Sequence, residues 1–474
     1  MKSVLVGNGI NIQFGGKAFS NRFIMMRIVN NARAGKYNQL FDNTLSGGEI
    51  VELFNGFLSY ANGVLAGEYD DIKDPDLSFA VQDFKSRFQY RVKFEKHHEI
   101  PLEDWFLLME LFYAKNPDLL SQRVASKQGL ERIVLDAIYN DGRIQNIYSS
   151  MSKRVRKYFS GFDNIFTLNY DNNLEMLTRK TVFHLHGDFS VPADSENPIT
   201  AQGFCRINNG QSVVTPGFSH CYCNALLNYS GELKYKQAEN NRASTRFMEQ
   251  IRESNALGDY DFSQIELAAE KTAPEAIEWI KAFCDHPELI ARTDYHFDDL
   301  VALDGELHII GLSQNNDSHI FRCIDRSNVR KVVFYHHGNA PSKLPICKPV
   351  EFVNVKDLWK QLDASTPKYN CNPHVPNTDG VEDIIKALNA ISFDEITREE
   401  IEQELSRIPS FISDPLCEEA LSFMESQKKA GPPKDAEEQM RQFMAISQIA
   451  LREGILPTCF YILLLNYMNA HKQA

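Results

Sequence analysis

Four short stretches set polar or ionisable side chains where they can act on a bound molecule. In "VLVGNGINIQFGG" (4–16) an apolar strand pattern runs into Gly7-Asn8-Gly9. A strand ending in G-x-G lets the backbone approach a phosphate, and the helix that follows offers amide N–H groups. The dehydrogenase fingerprint is broken twice here: Ile12 stands in place of a third glycine, and Arg27 in place of the ribose-binding acid. In "FTLNYD" (166–171), Thr167, Asn169 and Asp171 alternate, so all three share one face if the strand persists. The alternative is an exposed strand end at which Asp171 or Asn172 caps a helix. In "VFHLHGD" (182–188), His184 and His186 share a face and Gly187 frees the backbone behind them. A histidine titrating near neutrality at a strand end is the usual general base, and one of the two is expected to be structural. In "IIGLSQNNDSHI" (309–320), Gly311 and Ser313 sit at a second strand-to-helix turn suited to phosphate or ribose, with Asp317 in the first helical turn, where a carboxylate suits the dipole.

These stretches need strands to hold them. "SVLVGNG" (3–9), "NIFTLNYD" (164–171), "TVFHLHGD" (181–188), "ELHIIGLS" (306–313), "KVVFYHH" (331–337) and "VEFVNV" (350–355) are short apolar runs of the kind buried on both faces of a parallel sheet. Helical patterns between them predict a doubly wound α/β core. Two insertions interrupt it, a mainly helical one over about 40–160 and a mixed one over about 190–300 that includes "TAPEAIEWIKAFC"; both are expected to wall the ligand crevice. The Pro- and Asn-rich stretch 364–380 reads as a linker, and 381–474 as a helical bundle with apolar residues at three- and four-residue spacing.

The 474 residues are 43% hydrophobic and 24% charged, as in an ordinary globular chain, and no run of about 18 apolar residues or secretory leader is seen; the expectation is a cytoplasmic protein. The net charge of −13 argues against a general nucleic-acid binder. Residues 1–41 hold six Lys or Arg and no acid, which suits a polyanion; 379–419 hold twelve acids and three bases, which reads as a solvated helix face or a docking face. Nine scattered cysteines without a C-x-x-C pair indicate neither disulfide framework nor zinc ribbon. At "HCYC" (220–223) a strand would turn His220 away from Cys221 and Cys223, so buried free thiols are the better reading than a metal site.

Taken in order, G-x-G-I-N with Gly15 and Phe19 behind it, T-x-N-x-D at 167–171, L-H-G at 185–187 and a strand ending in G-x-S at 311–313 resemble the sirtuin superfamily. The likeness is closest to bacterial sirtuin-like and AbiH-like members of antiphage defence. It covers scattered core segments of 1–356 and leaves out the insertions and the C-terminal helices. The resemblance implies a Rossmann-like domain over 1–363 with NAD as substrate and no metal. Gly7, Asn8 and Gly9 would lie on the pyrophosphate and adenosine side, and Asn11 near the nicotinamide ribose, with Phe19 in the same cofactor segment. Asn169 would position ribose and attacking water, Asp171 would contact the carboxamide, His186 would be the base at the ribose hydroxyls, and Gly311 and Ser313 would hold the adenosine ribose or a phosphate. Protein-deacylating sirtuins carry a four-cysteine zinc ribbon and a Pro-Asp-Phe-Arg segment after the glycine turn; this chain lacks the first and has Lys17-Ala18-Phe19-Ser20 in place of the second. The expected activity is therefore an NAD+ glycohydrolase effector of abortive infection, held in check by a homo-oligomer or by a separately encoded infection-sensing partner of nucleotide-processing or ATPase type. The alternatives are a nucleotide sensor without cleavage and an NAD-dependent deacylase or ADP-ribosyltransferase.

Overall fold

A computed structural model describes residues 1–41, 45–191, 206–208, 211–227, 230–256, 295–314, 316–341, 343–364, 382–391 and 396–472. Six strands, β1 (Lys2–Val6), β2 (Asn164–Thr167), β3 (Phe183–His184), β4 (Asp304–Ile310), β5 (Asn328–His336) and β6 (Val350–Asn354), form one all-parallel sheet in the order β3-β2-β1-β4-β5-β6. The apolar runs require this arrangement. Along β1, Val4 and Val6 enter one apolar cluster with Ile165 and Ile310, whereas Leu5 enters the other with Phe166, Leu307 and Ile309. Side chains of period two are thus buried on both faces, at roughly 1.5–3 kcal/mol for each Val or Leu.

The chain leaves β1 toward β2 on one side and returns at β4 on the other. The strand order therefore reverses between β1 and β4, and their carboxyl ends open the crevice at which α/β sheets bind ligands. Both strands end at glycine, Gly7 and Gly311.

β2 and β3 are shorter than the sequence runs, so Asn169, Asp171 and His186 all lie in the loops beyond them and the expected single face of Thr167, Asn169 and Asp171 is not formed. Thr167 Oγ1 instead accepts from the Asn169 amide at 3.0 Å and bends the chain out of the strand.

The first insertion is helical, as its pattern predicts: α3 (Gly47–Ala66), α4 (Pro75–Arg87), α5 (Asp104–Lys115), α6 (Arg123–Tyr139) and α7 (Lys153–Ser160) follow α1 (Gly9–Gly15) and α2 (Asn21–Arg33). Ser46 and Glu49 form a capping box at the start of α3, and Gly67 closes it in the left-handed conformation. After α8 (Asn173–Thr178), the second insertion contributes an antiparallel pair, Arg206–Asn208 with Gln211–Val213, and α9 (Gly231–Ala256). The segment "TAPEAIEWIKAFC" and the expected linker from 365 onward lie outside the described residues. Three short helices, α10 (Phe297–Val301), α11 (Ser318–Arg326) and α12 (Val355–Gln361), complete the layers around the sheet.

The C-terminal segment is helical: α13 (Glu382–Ile391), α14 (Arg398–Leu405), α15 (Ser410–Ala430), α16 (Ala436–Leu451) and α17 (Pro457–Lys472). Its apolar core includes Ile401, Cys417, Ala450 and Phe460 and is completed by Phe23 and Met26 of α2. Here the charge asymmetry acquires a different meaning from the expected one. Lys17 pairs with Glu404 and Arg22 with Glu400, while the fully buried Arg27 donates to the carbonyls of Ala18, Ala137 and Leu451. At these positions the acid-free N-terminal segment serves the acidic helices and the fold, not a polyanion, and this part of the acidic block is not a free face. Among the described residues no helix is long and apolar enough to cross a membrane.

Candidate active site

The G-N-G turn is built against the end of β4. Gly7 N donates to Ile310 O at 2.9 Å and Gly9 N to Gly311 O at 3.0 Å. Gly311 has φ +76°, and a Cβ there would meet Gly7 O at 2.9 Å; a Cβ on Gly9 would meet Gly311 Cα at 2.6 Å. Glycine is required on both sides for the strand ends to approach. Of the amide N–H groups that the following helix was expected to offer a phosphate, that of Gly9, the first residue of α1, is bound to β4, as is the Gly7 N–H before it. Asn8 Nδ2 reaches across to Phe19 O at 2.9 Å and fixes the segment after α1.

A cavity of about 750 Å³ opens over this turn, within the range of small-molecule sites. Gly7, Asn8, Gly9 and Asn11 line it from β1 and α1, Asn169 and His186 from the loops after β2 and β3, and Gly311 and Ser313 from the loop after β4. Eight of the ten residues that the resemblance places at the site thus meet around one space, together with Asp317; Asp171 and Phe19 are not among those lining it. Tyr335, His337, Val355 and Trp359 also line it, with Phe14 of α1 edge-on to Trp359 at 5.3 Å between ring centroids.

Asp171 acts from behind the wall. Its Oδ2 accepts from Asn11 Nδ2 at 2.6 Å, and its Oδ1 from the backbone and side-chain nitrogens of Asn173 at 3.0 and 2.7 Å. Burial pushes its carboxyl pKa up, against the opposing pull of these donors. Because a carboxylate accepts only, the Asn11 amide must turn its nitrogen toward it. Asn11 Oδ1, in a residue only 1% exposed, has no hydrogen-bond partner among the described residues. A buried acceptor of this kind awaits a donor.

The two histidines separate. His184 Nε2 pairs with Glu175 at 2.6 Å and Nδ1 lies 3.0 Å from Asn169 O. Burial lowers its pKa, but the Glu175 hydrogen bond and nearby carboxylates outweigh that and raise it to about 8. His184 thereby braces the Asn169 loop and is the structural member. Asn169 Nδ2 approaches Gly7 O at 3.4 Å.

His186 is 3% exposed and faces two groups that the sequence did not single out. Its Nε2 lies 2.9 Å from Nε2 of the fully buried His319 in α11, and its Nδ1 lies 3.5 Å from Nζ of Lys234 in α9. Lys234 is held by Glu103, just before α5, at 2.7 Å. Burial first, and then the Lys234 charge, drive the basicity of both imidazoles well down. Asp317, at the start of α11, has its carboxyl raised to about 7 by burial and by the Glu103 carboxylate. His319 lies within the fourth motif, whereas a lone Lys in an amphipathic helix and a Glu before another carry no sequence signal.

His186, Asp317 and His319 bring one possible ligand atom each to within 4.8 Å of one another. Two imidazoles and a carboxylate are a donor set of the zinc class. Such an ion needs an acceptor behind each imidazole. Behind His186 stands the Lys234 ammonium, and His319 Nδ1 has no hydrogen-bond partner among the described residues. Within the set, His186 and His319 are joined by a hydrogen bond. At "HCYC", His220 belongs to a short turn and pairs with Asp136 at 3.1 Å; Cys221 and Cys223 are buried free thiols with pKa values pushed up by burial.

The fold and site together define a parallel α/β protein whose strand-end cavity is lined by amide, imidazole and glycine-turn groups. Comparison with protein-family models, curated sequences and solved structures returns no match.

Proposed function

We propose that the chain is an NAD+ glycohydrolase, cleaving NAD+ and water to nicotinamide, ADP-ribose and a proton. The observation that carries this reading is the convergence of Asn169 and His186, from two adjacent strand ends, with the Gly7-Asn8-Gly9 and Gly311–Ser313 turns on one cavity at the switch point of the sheet. The glycine turns seat the pyrophosphate and adenosine ribose, and the aromatic end around Tyr335 and Trp359 takes the adenine. The nicotinamide ribose then falls between Asn11, Asn169 and His186. As the glycosidic bond lengthens, positive charge develops on the ribose and must be met by fixed dipoles and an oriented water. The Asn169 amide does both, and His186 takes up the hydroxyl proton. Asn11 Oδ1, turned outward by Asp171, accepts from an N–H or O–H of the nicotinamide riboside.

From the sirtuin-like motif order we infer further that the activity serves antiphage defence by depleting NAD, with a partner or self-assembly as trigger. One observation favours a second reading, a sensor that binds NAD or ADP-ribose without cutting it: both ring nitrogens of His186 are engaged. Incubating the purified chain with NAD+, alone and with candidate activators, and following nicotinamide and ADP-ribose separates the two. The hydrolase releases both products and loses at least about 100-fold in Asn169→Ala and His186→Ala; the sensor binds NAD and releases neither.

A further inference from the structure

His186 stands at the end of a chain of hydrogen-bonding groups whose direction follows from what each can donate. An ammonium has three donors and no acceptor. Lys234 Nζ, 3.5 Å from His186 Nδ1, therefore donates to it, and Nδ1 must be the bare nitrogen. The ring proton then lies on Nε2 and is donated to His319 Nε2 at 2.9 Å. His319 in turn carries its proton on Nδ1, the atom that has no hydrogen-bond partner among the described residues. The reverse order would set a His186 Nδ1–H against the ammonium, two donors face to face in a site where Lys234 is 1% exposed.

We propose that the Lys234–Glu103 ion pair locks His186 in the Nε2–H tautomer, so that neither ring nitrogen accepts a proton until the pair moves. Lys234 is thus a positioning residue that acts through His186. The lock joins the two insertions at the site, because Glu103 precedes α5 in the first and Lys234 belongs to α9 in the second. The first turn of α9 is held by Glu232, which pairs with Arg322 of α11, and Gly231 abuts Asp83 of α4 with φ +52°. A displacement of α9 that draws Lys234 away opens Nδ1, lets the proton redistribute between the ring nitrogens and gives His186 a free lone pair. The inference rests on the glycohydrolase reading for its consequence, a gated base, but not for the tautomer itself.

The test is a long-range 1H–15N spectrum of the full chain carrying 15N-labelled histidine, with His186 assigned by its loss in His186→Gln. In the wild type His186 shows a pyridine-type Nδ1 and a pyrrole-type Nε2. Lys234→Met, and Lys234→Met/Glu103→Gln, which strands no carboxylate, move it toward the Nδ1–H form, while Lys234→Arg retains the wild-type pattern. The same two Met variants raise kcat for NAD+ without activator at least tenfold at little change in KM. A wild-type His186 with its proton on Nδ1 overturns the lock, as does a pattern unmoved by either Met variant. The wild-type spectrum decides even where a variant fails to fold. Spectra as expected with no NAD cleavage in any protein leave the lock standing and remove the glycohydrolase; cleavage that either Met variant slows, with an unmoved spectrum, does the reverse.

Discussion

At the scale of single residues, the site consists of side chains that face the cavity and others that hold them. Asn11 and Asp171 are such a pair, joined at 2.6 Å. Removing the amide in Asn11→Ala strips Asp171 of one donor and the cavity of its unpartnered acceptor. We expect a loss of stability of about 1–3 kcal/mol and a rise in the Kd for NAD of about tenfold, read by chemical denaturation and by calorimetry; unchanged NAD binding in the folded variant would remove Asn11 from the site. His184 gives a pH dependence with a definite sign. Its folded pKa of about 8 lies above the value near 6.5 of an unfolded histidine, so its stabilising contribution is complete below about pH 6.5 and is lost as pH rises through 8. A gap of this size is worth about 2 kcal/mol. Denaturation between pH 6 and 9 should show the wild type losing about that much more stability than His184→Gln; parallel curves would contradict it.

At the scale of elements, the glycine-lined meeting of β1 and β4 is the part least tolerant of change. Gly311→Ala combines a φ of +76° with a Cβ 2.9 Å from Gly7 O, so the two strand ends must part. We expect about 1–3 kcal/mol of destabilisation and loss of nucleotide binding, measured by thermal unfolding with and without NAD; a variant still stabilised by NAD would show that the turn does not hold it. These elements were legible in the sequence because their signals are local. Short apolar runs, most of them ending in a polar or glycine turn, located all six strands, and three- and four-residue spacing located the C-terminal helices. What the sequence misjudged depended on distant partners. It extended β2 through Asn169 and Asp171, whereas Thr167 turns the chain aside with its own hydroxyl. It read the basic first forty residues as an anion site, whereas Lys17 and Arg22 meet glutamates nearly four hundred positions away. Lys234 and Glu103 were invisible for the same reason, and His319, although inside the fourth motif, could not be assigned a partner: only the packing of α5, α9 and α11 brings the three together around His186.

At the scale of the whole molecule, the C-terminal helices are joined to the segment that follows the glycine turn. Arg27 ties Leu451 to Ala18 and to the end of α6, and Gly454 lies against Ala18, where a Cβ would meet the backbone nitrogen at 2.6 Å. Replacing this buried cation in Arg27→Met leaves three carbonyl groups without their donor, at a cost of about 3 kcal/mol or more; proteolysis should then cut the helices after 396 faster than in the wild type, and an unchanged cleavage pattern would contradict the tie. Both insertions thus line the cavity, and the C-terminal helices hold the segment that follows the glycine turn, as the proposed gating calls for. The measurement that bears most directly on the central claim is product release from NAD+ by the purified chain, with Lys234→Met included so that a closed resting state is not mistaken for an inert one. The account predicts nicotinamide and ADP-ribose in equal amounts, abolished by Asn169→Ala and by His186→Ala. NAD+ left intact by the wild type under every activator and by Lys234→Met, or cut equally well without Asn169 and His186, would contradict it.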